Sequence, residues 1–268
     1  MELVNNVKQK LAKGELVSSM AIRLVRTIEI VHIAKSAGFD SIYIDMEHNA
    51  FTVDAASQIC IAALACGIAP FVRVPASSFD MVSRLLDGGA LGIIAPHLQS
   101  VEDVRRMVDI AKFPPIGKRG AVGNLPQLGY RNVKATEANP LVNDATMVIG
   151  MVETVQALQN IDQILAVEGL DMVLVGTNDL TAEMGIPGQY DHSSVTDAYA
   201  HIIKTARKYG KHVGVGGLAS RPDLVEKFVQ MGAHYVSTGT DLGFLVGTCA
   251  SKAQFVANLK RAPLTAQT

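Results

Sequence analysis

Residues 41–75 read SIYIDMEHNAFTVDAASQICIAALACGIAPFVRVP. A short apolar run, Ser41–Asp45, gives way to a helical pattern over Val53–Cys66. Gly67 punctuates it, and a second apolar run follows at Pro70–Val74. A buried strand, a helix and another buried strand form the unit from which parallel sheets are built.

The same alternation extends in both directions. Further strands are expected at Ser19–Leu24, Gly92–Ala95, Val148–Val152, Met172–Val175, His212–Val215 and Tyr235–Ser237. Helical patterns occupy Glu29–Ala37, Phe79–Leu86, Val101–Lys112, Val155–Val167, Asp197–Tyr209 and Pro222–Met231, and Met1–Lys13 reads as an extra helix before the first strand. Eight strand–helix units predict an α/β fold, a closed (β/α)8 TIM barrel, rather than an open doubly wound sheet. Gly38, Gly67, Gly92, Gly169, Gly210 and Gly232 stand at the helix-to-strand joins. The length of 268 residues suits one barrel domain over 1–268, since such barrels run to about 250 residues. One irregular stretch, Phe113–Ala145, is expected to be an active-site loop after the fourth strand.

Hydrophobic residues make up 49% of the chain, enough for a large core, and 24 Lys and Arg nearly balance 25 Asp and Glu. That balance argues against a nucleic-acid partner but leaves room for a small anionic substrate. No apolar run is long enough to span a bilayer, and Met1–Lys10 is too polar for a signal peptide, so the cytoplasm is the expected location and no membrane partner is expected. Cys60, Cys66 and Cys249 are widely spaced, and the first two, set among apolar residues, are expected to be buried thiols.

Barrel active sites gather at the C-terminal ends of strands, so polar residues there carry information. The second strand ends in Asp45-Met46-Glu47-His48, the third in Arg73, and the fifth in Glu153. The sixth leads through Gly176-Thr177-Asn178 to Asp179. Arg73 calls for an anion, either a substrate carboxylate or, as a structural pair, Asp45. Glu153 and Asp179, on consecutive strand ends, are a plausible seat for a hard divalent ion. Thr177-Asn178-Asp179 also reads as an ordinary helix cap. Gly214, Gly216, Gly217 and Thr238-Gly239-Thr240 fall where barrels often bind phosphate, although the glycines are unspecific as motifs and close-packed turns account for them better.

In order and register, Asp45-x-Glu47-His48, Arg73, Glu153 and Gly176-x-x-Asp179-Leu180-Thr181 resemble the HpcH/HpaI aldolases, the metal-dependent 4-hydroxy-2-oxoheptanedioate aldolase-like enzymes of the phosphoenolpyruvate/pyruvate barrel superfamily. The resemblance runs from about Val7 to Leu259. It implies Glu153 and Asp179 as ligands of Mg2+, Mn2+ or Co2+, Arg73 on the 2-oxo acid, His48 as acid/base and Asp45 as an outer carboxylate. Gly176, Thr177 and Asn178 would cradle the substrate carboxylate. Asp87 aligns with a carboxylate that orients the histidine, yet it ends the helix after strand three, so it is expected at the far end of its own barrel and could reach only a neighbour's His48. Pro115-x-Gly117-x-Arg119-Gly120 resembles a mobile loop over the site.

The family pattern is not complete. Met46 stands where Gly is frequent, Met151 where Gln is frequent, Asn178 where a small residue is usual, and Arg23 and Arg26 flank the end of a first strand where relatives carry Trp and Ser. The expected function is a metal-dependent carbon–carbon lyase that joins or releases a 2-oxo acid and an aldehyde through a pyruvate-type enolate. The alternatives are a 2-oxo acid decarboxylase, an acyl-CoA lyase, or a non-catalytic phosphate- or metabolite-binding barrel. Leu242–Val246 and Phe255-Val256 make the last helix apolar on more than one side. It is therefore expected to pack on a neighbouring subunit, and the resemblance implies a hexamer built as a trimer of dimers.

Overall fold

A computed structural model describes residues 3–259. The chain runs through α1 (Asn6–Ala12), β1 (Val17–Ile22), α2 (Glu29–Ser36), β2 (Ser41–Asp45), α3 (Val53–Cys66), β3 (Ala69–Arg73), α4 (Val82–Asp87), β4 (Gly92–Ala95) and α5 (Val101–Ala111). It continues through α6 (Ala135–Ala145), β5 (Met147–Val152), α7 (Val155–Gln159), α8 (Ile161–Leu165), β6 (Met172–Gly176) and α9 (Thr177–Glu183). The last elements are α10 (Ser193–Lys208), β7 (His212–Gly216), α11 (Pro222–Met231), β8 (Tyr235–Thr240) and α12 (Asp241–Ala257). The strands pair in parallel in sequence order, and β8 closes on β1. The fold is the expected α/β (β/α)8 TIM barrel.

Both faces of a barrel strand are buried, which is why these strands read as continuous apolar runs. The two-residue period still sorts them. In β5, Met147, Ile149 and Met151 fill the interior while Val148 and Val152 lie under the helices. In β3, Ala69 and Phe71 point inward and Val72 outward. Carried past the apolar layer, the same period aims Asp45, Arg73 and Glu153 into the mouth at the strands' C-terminal ends.

At the opposite end, Asn5 caps α1 by accepting the Val7 and Lys8 N–H groups, and its amide donates to the Ala145 carbonyl at 2.7 Å. The helix expected from Met1 thus begins at Asn6; Met1 and Glu2 lie outside the described residues. The expectation for Phe113–Ala145 is overturned. The stretch holds a 3-10 turn at Pro126–Leu128 and all of α6. Because it follows α5, the chain has already returned to the N-terminal ends of the strands. There Phe113 and Asn143 exchange hydrogen bonds of 2.7 and 2.9 Å, and Phe113, Leu125, Leu128 and Val142 form a small core of their own. Within one protomer this segment cannot cover the mouth.

Three smaller departures have local causes. Strand β1 stops at Ile22 rather than Leu24, because the Arg23, Leu24 and Val25 N–H groups donate to the Asp241 carboxylate instead of to a strand ladder. The single helix expected over Val155–Val167 breaks at Asn160, whose amide donates to the Gln99 carbonyl. Cys60 is buried as expected, but Cys66, in the last turn of α3, is only half-buried.

Of the seventeen residues of α12 only Asp241 is buried, and Phe244, Leu245, Val246, Phe255 and Val256 are exposed. Among the described residues, no helix is long and apolar enough to cross a membrane.

Candidate active site

Asp45 organises one half of the mouth. It is fully buried. Its Oδ1 accepts the N–H groups of Glu47 (3.1 Å) and His48 (3.3 Å), which folds the chain back as it leaves β2. Arg73 then donates twice, Nε to Oδ1 at 2.9 Å and Nη2 to Oδ2 at 2.7 Å, the bidentate geometry a planar guanidinium favours. Burial alone would raise the Asp45 carboxyl, but the bonds and charge of Arg73 outweigh it and hold it below its ordinary value. The structural pairing considered for Arg73 is therefore real. Its remaining nitrogen, Nη1, lies 3.2 Å from Glu47 Oε2 and 3.8 Å from Met151 Sδ.

The other half is built around Glu153, which is 1% exposed. Its Oε1 accepts the His97 N–H at 2.6 Å and lies 3.3 Å from His97 Nδ1, while His97 Nε2 is 3.6 Å from Glu47. His97 sits in the left-handed region with φ of 51°, a conformation that costs a non-glycine residue energy and is found at functional sites. Burial pushes the Glu153 carboxyl up, and the neighbouring charges of Glu47 and Asp179 push in the same direction against the His97 contacts. Gly176 makes room for this side chain: a Cβ there would lie 2.8 Å from Glu153 Oε2.

A pocket of about 700 Å3 opens at this end of the barrel, lined among others by Asp45, His48, Arg73, Gly176, Asn178 and Asp179, with Glu153 buried beside Gly176 in its wall. Asp179 is exposed in it. Of the expected substrate cradle, Gly176 and Asn178 line the wall, but the Thr177 side chain is turned away: its hydroxyl donates to the Gly216 carbonyl at 2.7 Å and meets Tyr199 Oη at 2.8 Å. Thr177 is fully buried and does not line the pocket. Tyr190 donates to Asn178 Oδ1 at 2.7 Å and so joins the wall. Gly217 (φ 80°) lies in a bend after β7 and Gly239 (φ 148°) lies in β8 where its register with β1 shifts, and a Cβ at Gly239 would lie 2.7 Å from the Phe244 ring, so these glycines serve close backbone packing. Asp87 is absent from the mouth. It ends α4 at the opposite end of the barrel, 2.6 Å from Arg119, whose guanidinium stacks on Phe113.

Three contributors escaped the reading of the sequence. His97 follows β4 in Ala95-Pro96-His97 and offered the usual signal, a polar residue just past a strand. Asp241, just after β8, offered the same. Tyr190 offered none, because only the fold brings it to Asn178.

The family model described as HpcH/HpaI aldolase/citrate lyase matches residues 25–247. The chain belongs to the HpcH/HpaI aldolase/citrate lyase family. It is similar to a 4-hydroxy-4-methyl-2-oxoglutarate aldolase of Chaetomium globosum, with 35% identity over 98% of this chain and 99% of that one. A second enzyme so described, from Hapsidospora irregularis, is 39% identical over 83% of each chain. The crystal structure of an HpcH/HpaI aldolase from Desulfitobacterium hafniense superposes with a TM-score of 0.87 at 32% identity, covering 95% of this chain and 97% of that one. As an HpcH/HpaI family member the chain is an enzyme, a carbon–carbon lyase of the aldolase type, and the reading as a non-catalytic binding barrel falls away.

Proposed function

We propose that the chain cleaves and forms 4-hydroxy-2-oxo acids with the help of a divalent metal ion, Mg2+, Mn2+ or Co2+, releasing or taking up pyruvate or a close relative. The observation that carries this is the meeting of Glu153 and Asp179 with the Asp45–Arg73 pair in one barrel mouth. The donors fit a hard cation. Two carboxylates repel across the site, His97 donates to Glu153 Oε1 while Oε2 accepts no hydrogen bond among the described residues, and a glycine leaves space beside it. Among the described residues no group of three or more His, Cys, Asp or Glu could enclose an ion, so an ion on this pair would keep positions open for substrate.

When bound, such an ion supplies Lewis-acid stabilisation of negative charge on the 2-oxo acid's carbonyl oxygen. Glu153 and Asp179 would hold it. Arg73, fixed by Asp45, presents Nη1 as a preorganised positive edge for the same oxygen. His48, exposed at the rim, takes the proton from the substrate's 4-hydroxyl during cleavage and returns it in condensation. The N–H groups at the start of α9, from Gly176 to Asn178, receive the substrate carboxylate. Incubation with 4-hydroxy-4-methyl-2-oxoglutarate, followed by mass spectrometry, is expected to show two molecules of pyruvate per substrate and no CO2. Release of CO2 would instead support a decarboxylase.

Gly176→Ala tests the geometry without removing a ligand. A Cβ 2.8 Å from Glu153 Oε2 forces that carboxylate aside. Mn2+ affinity measured by calorimetry is expected to fall about tenfold to a hundredfold, as when a residue supporting a ligand is lost. Unchanged affinity would remove Glu153 from the proposed ligand set.

The exposed apolar faces of α12 support an oligomer in which this helix packs on a neighbour, a hexamer arranged as a trimer of dimers. In that assembly Asp87 would reach His48 of another protomer. Light scattering on a dilute, active sample is expected to give a mass several times 28.5 kDa. An active monomer would contradict both points.

A further inference from the structure

We propose that Arg23 is the specificity-determining residue for the far end of the substrate, and that it takes a carboxylate carried by the carbonyl fragment released on cleavage. This rests on the aldolase reading above and names the class of its second product: an anionic carbonyl compound such as a 2-oxo acid.

Position is the first argument. In a closed ring of eight strands β1 stands opposite β5. Continuing the inward set of Val17, Ser19 and Ala21, Arg23 enters the pocket wall across from the Glu153 side. A substrate whose 2-oxo acid head lies by Glu153 and Asp179 extends toward Arg23.

The second argument is unspent charge. Arg23 Nε is shielded from solvent yet makes no hydrogen bond among the described residues. The nearest carboxylate, Asp45 Oδ2, is 3.5 Å away and already accepts from Arg73 at 2.7 Å. The other contact of the guanidinium is a 3.5 Å approach of Nη2 to the His48 carbonyl. A shielded guanidinium nitrogen without an acceptor is costly unless a ligand supplies one. Arg26, the other candidate at this strand end, is not in the pocket wall, and its guanidinium lies over the Phe51 ring at 5.7 Å.

Preorganisation is the third. Asp241 accepts the N–H groups of Arg23 (2.7 Å) and Val25 (2.8 Å), which pins the Arg23 backbone at the rim. The same contacts favour a carboxylate over a phosphate. The first N–H groups of α12 are taken, Leu242 by Asp241 and Gly243 by Thr240 Oγ1, and Asp45 and Asp241 would both repel a dianion. One guanidinium suits one carboxylate.

The test uses the Mn2+-loaded enzyme and two ligands of equal length, 2-oxoglutarate and 2-oxopentanoate, which differ by a terminal carboxylate against a methyl group. Calorimetry on the wild type is expected to show tighter binding of 2-oxoglutarate by about tenfold to a hundredfold, the range of one charge-assisted hydrogen-bonded contact. Arg23→Gln is expected to bring the ratio close to one, and Arg23→Lys to restore part of it. Pyruvate affinity, and exchange of pyruvate's methyl protons in deuterated water, should stay at wild-type levels in both variants. A wild type without preference, or an unchanged ratio in Arg23→Gln, overturns the assignment while the enolate chemistry stands. No methyl exchange in the wild type overturns the aldolase reading and this proposal with it.

Discussion

Arg73→Ala is expected to lower turnover about a hundredfold to a thousandfold, the usual cost of losing one preorganised donor to a developing oxyanion. The pairing with Asp45 does not compete with this role; it makes the role possible. Asp45 uses Nε and Nη2, which locks the plane of the guanidinium and leaves Nη1 toward the Glu47 and Met151 side. Since the 2-oxo acid would also be held by the metal and by the start of α9, its Michaelis constant should change much less than turnover. Arg73→Lys should recover only part of the rate, because a point charge does not reproduce the fork.

The alanine variant also leaves buried Asp45 with only the 3.5 Å approach of Arg23 Nε as counter-charge, and breaking a comparable buried pair costs up to about 3 to 5 kcal/mol, so its folding must be checked by thermal melting. In the wild type Asp45 lies below its ordinary value. Its contribution to stability is therefore complete at neutral pH and is lost only as the solution is acidified through the ordinary aspartate range and below. The decisive readout is methyl-proton exchange of pyruvate in deuterated water. Exchange at the wild-type rate in folded Arg73→Ala would show that Arg73 does not stabilise the enolate.

Chelation is expected to have a larger effect still, abolishing turnover until Mn2+ or Mg2+ is restored. The local electrostatics give the reason. Glu153 is buried, and the charges of Glu47 and Asp179 push its carboxyl further up. A divalent charge between the carboxylates reverses the sign of that field. Glu153→Gln and Asp179→Asn should each weaken Mn2+ binding measured directly by calorimetry. Asp179→Asn is the cleaner variant, because Asp179 is exposed and packs little. Full activity in excess chelator, or unaltered Mn2+ affinity in both variants, would refute the metal assignment.

Much of the fold was legible because burial on both faces writes a barrel strand as an unbroken apolar run, while the helices between keep one polar side. That difference separates Gly92–Ala95 from Val101–Ala111 without any knowledge of contacts. The C-terminal ends of those apolar runs pointed to Asp45, Arg73 and Glu153. The pattern served less well where a side chain takes over main-chain hydrogen bonding. Strand β1 ends early because a carboxylate 218 residues away accepts its next N–H, and no local pattern records that.

The sequence by itself determined the barrel, the strand ends that form the mouth and the residue types gathered there, since those follow from periodicity and from parallel connectivity. Tertiary structure alone decided which groups meet and which are already spoken for. It turned the Thr177 hydroxyl inward, placed His97 between Glu47 and Glu153, brought Tyr190 to Asn178 and sent Phe113–Ala145 to the opposite end. It also separated Arg23, with an unpartnered nitrogen in the pocket wall, from Arg26, stacked on Phe51. The physical reason is range. Periodicity acts over a few residues along the chain, whereas a charge or hydrogen bond is satisfied by whatever lies within about 3 to 4 Å in space.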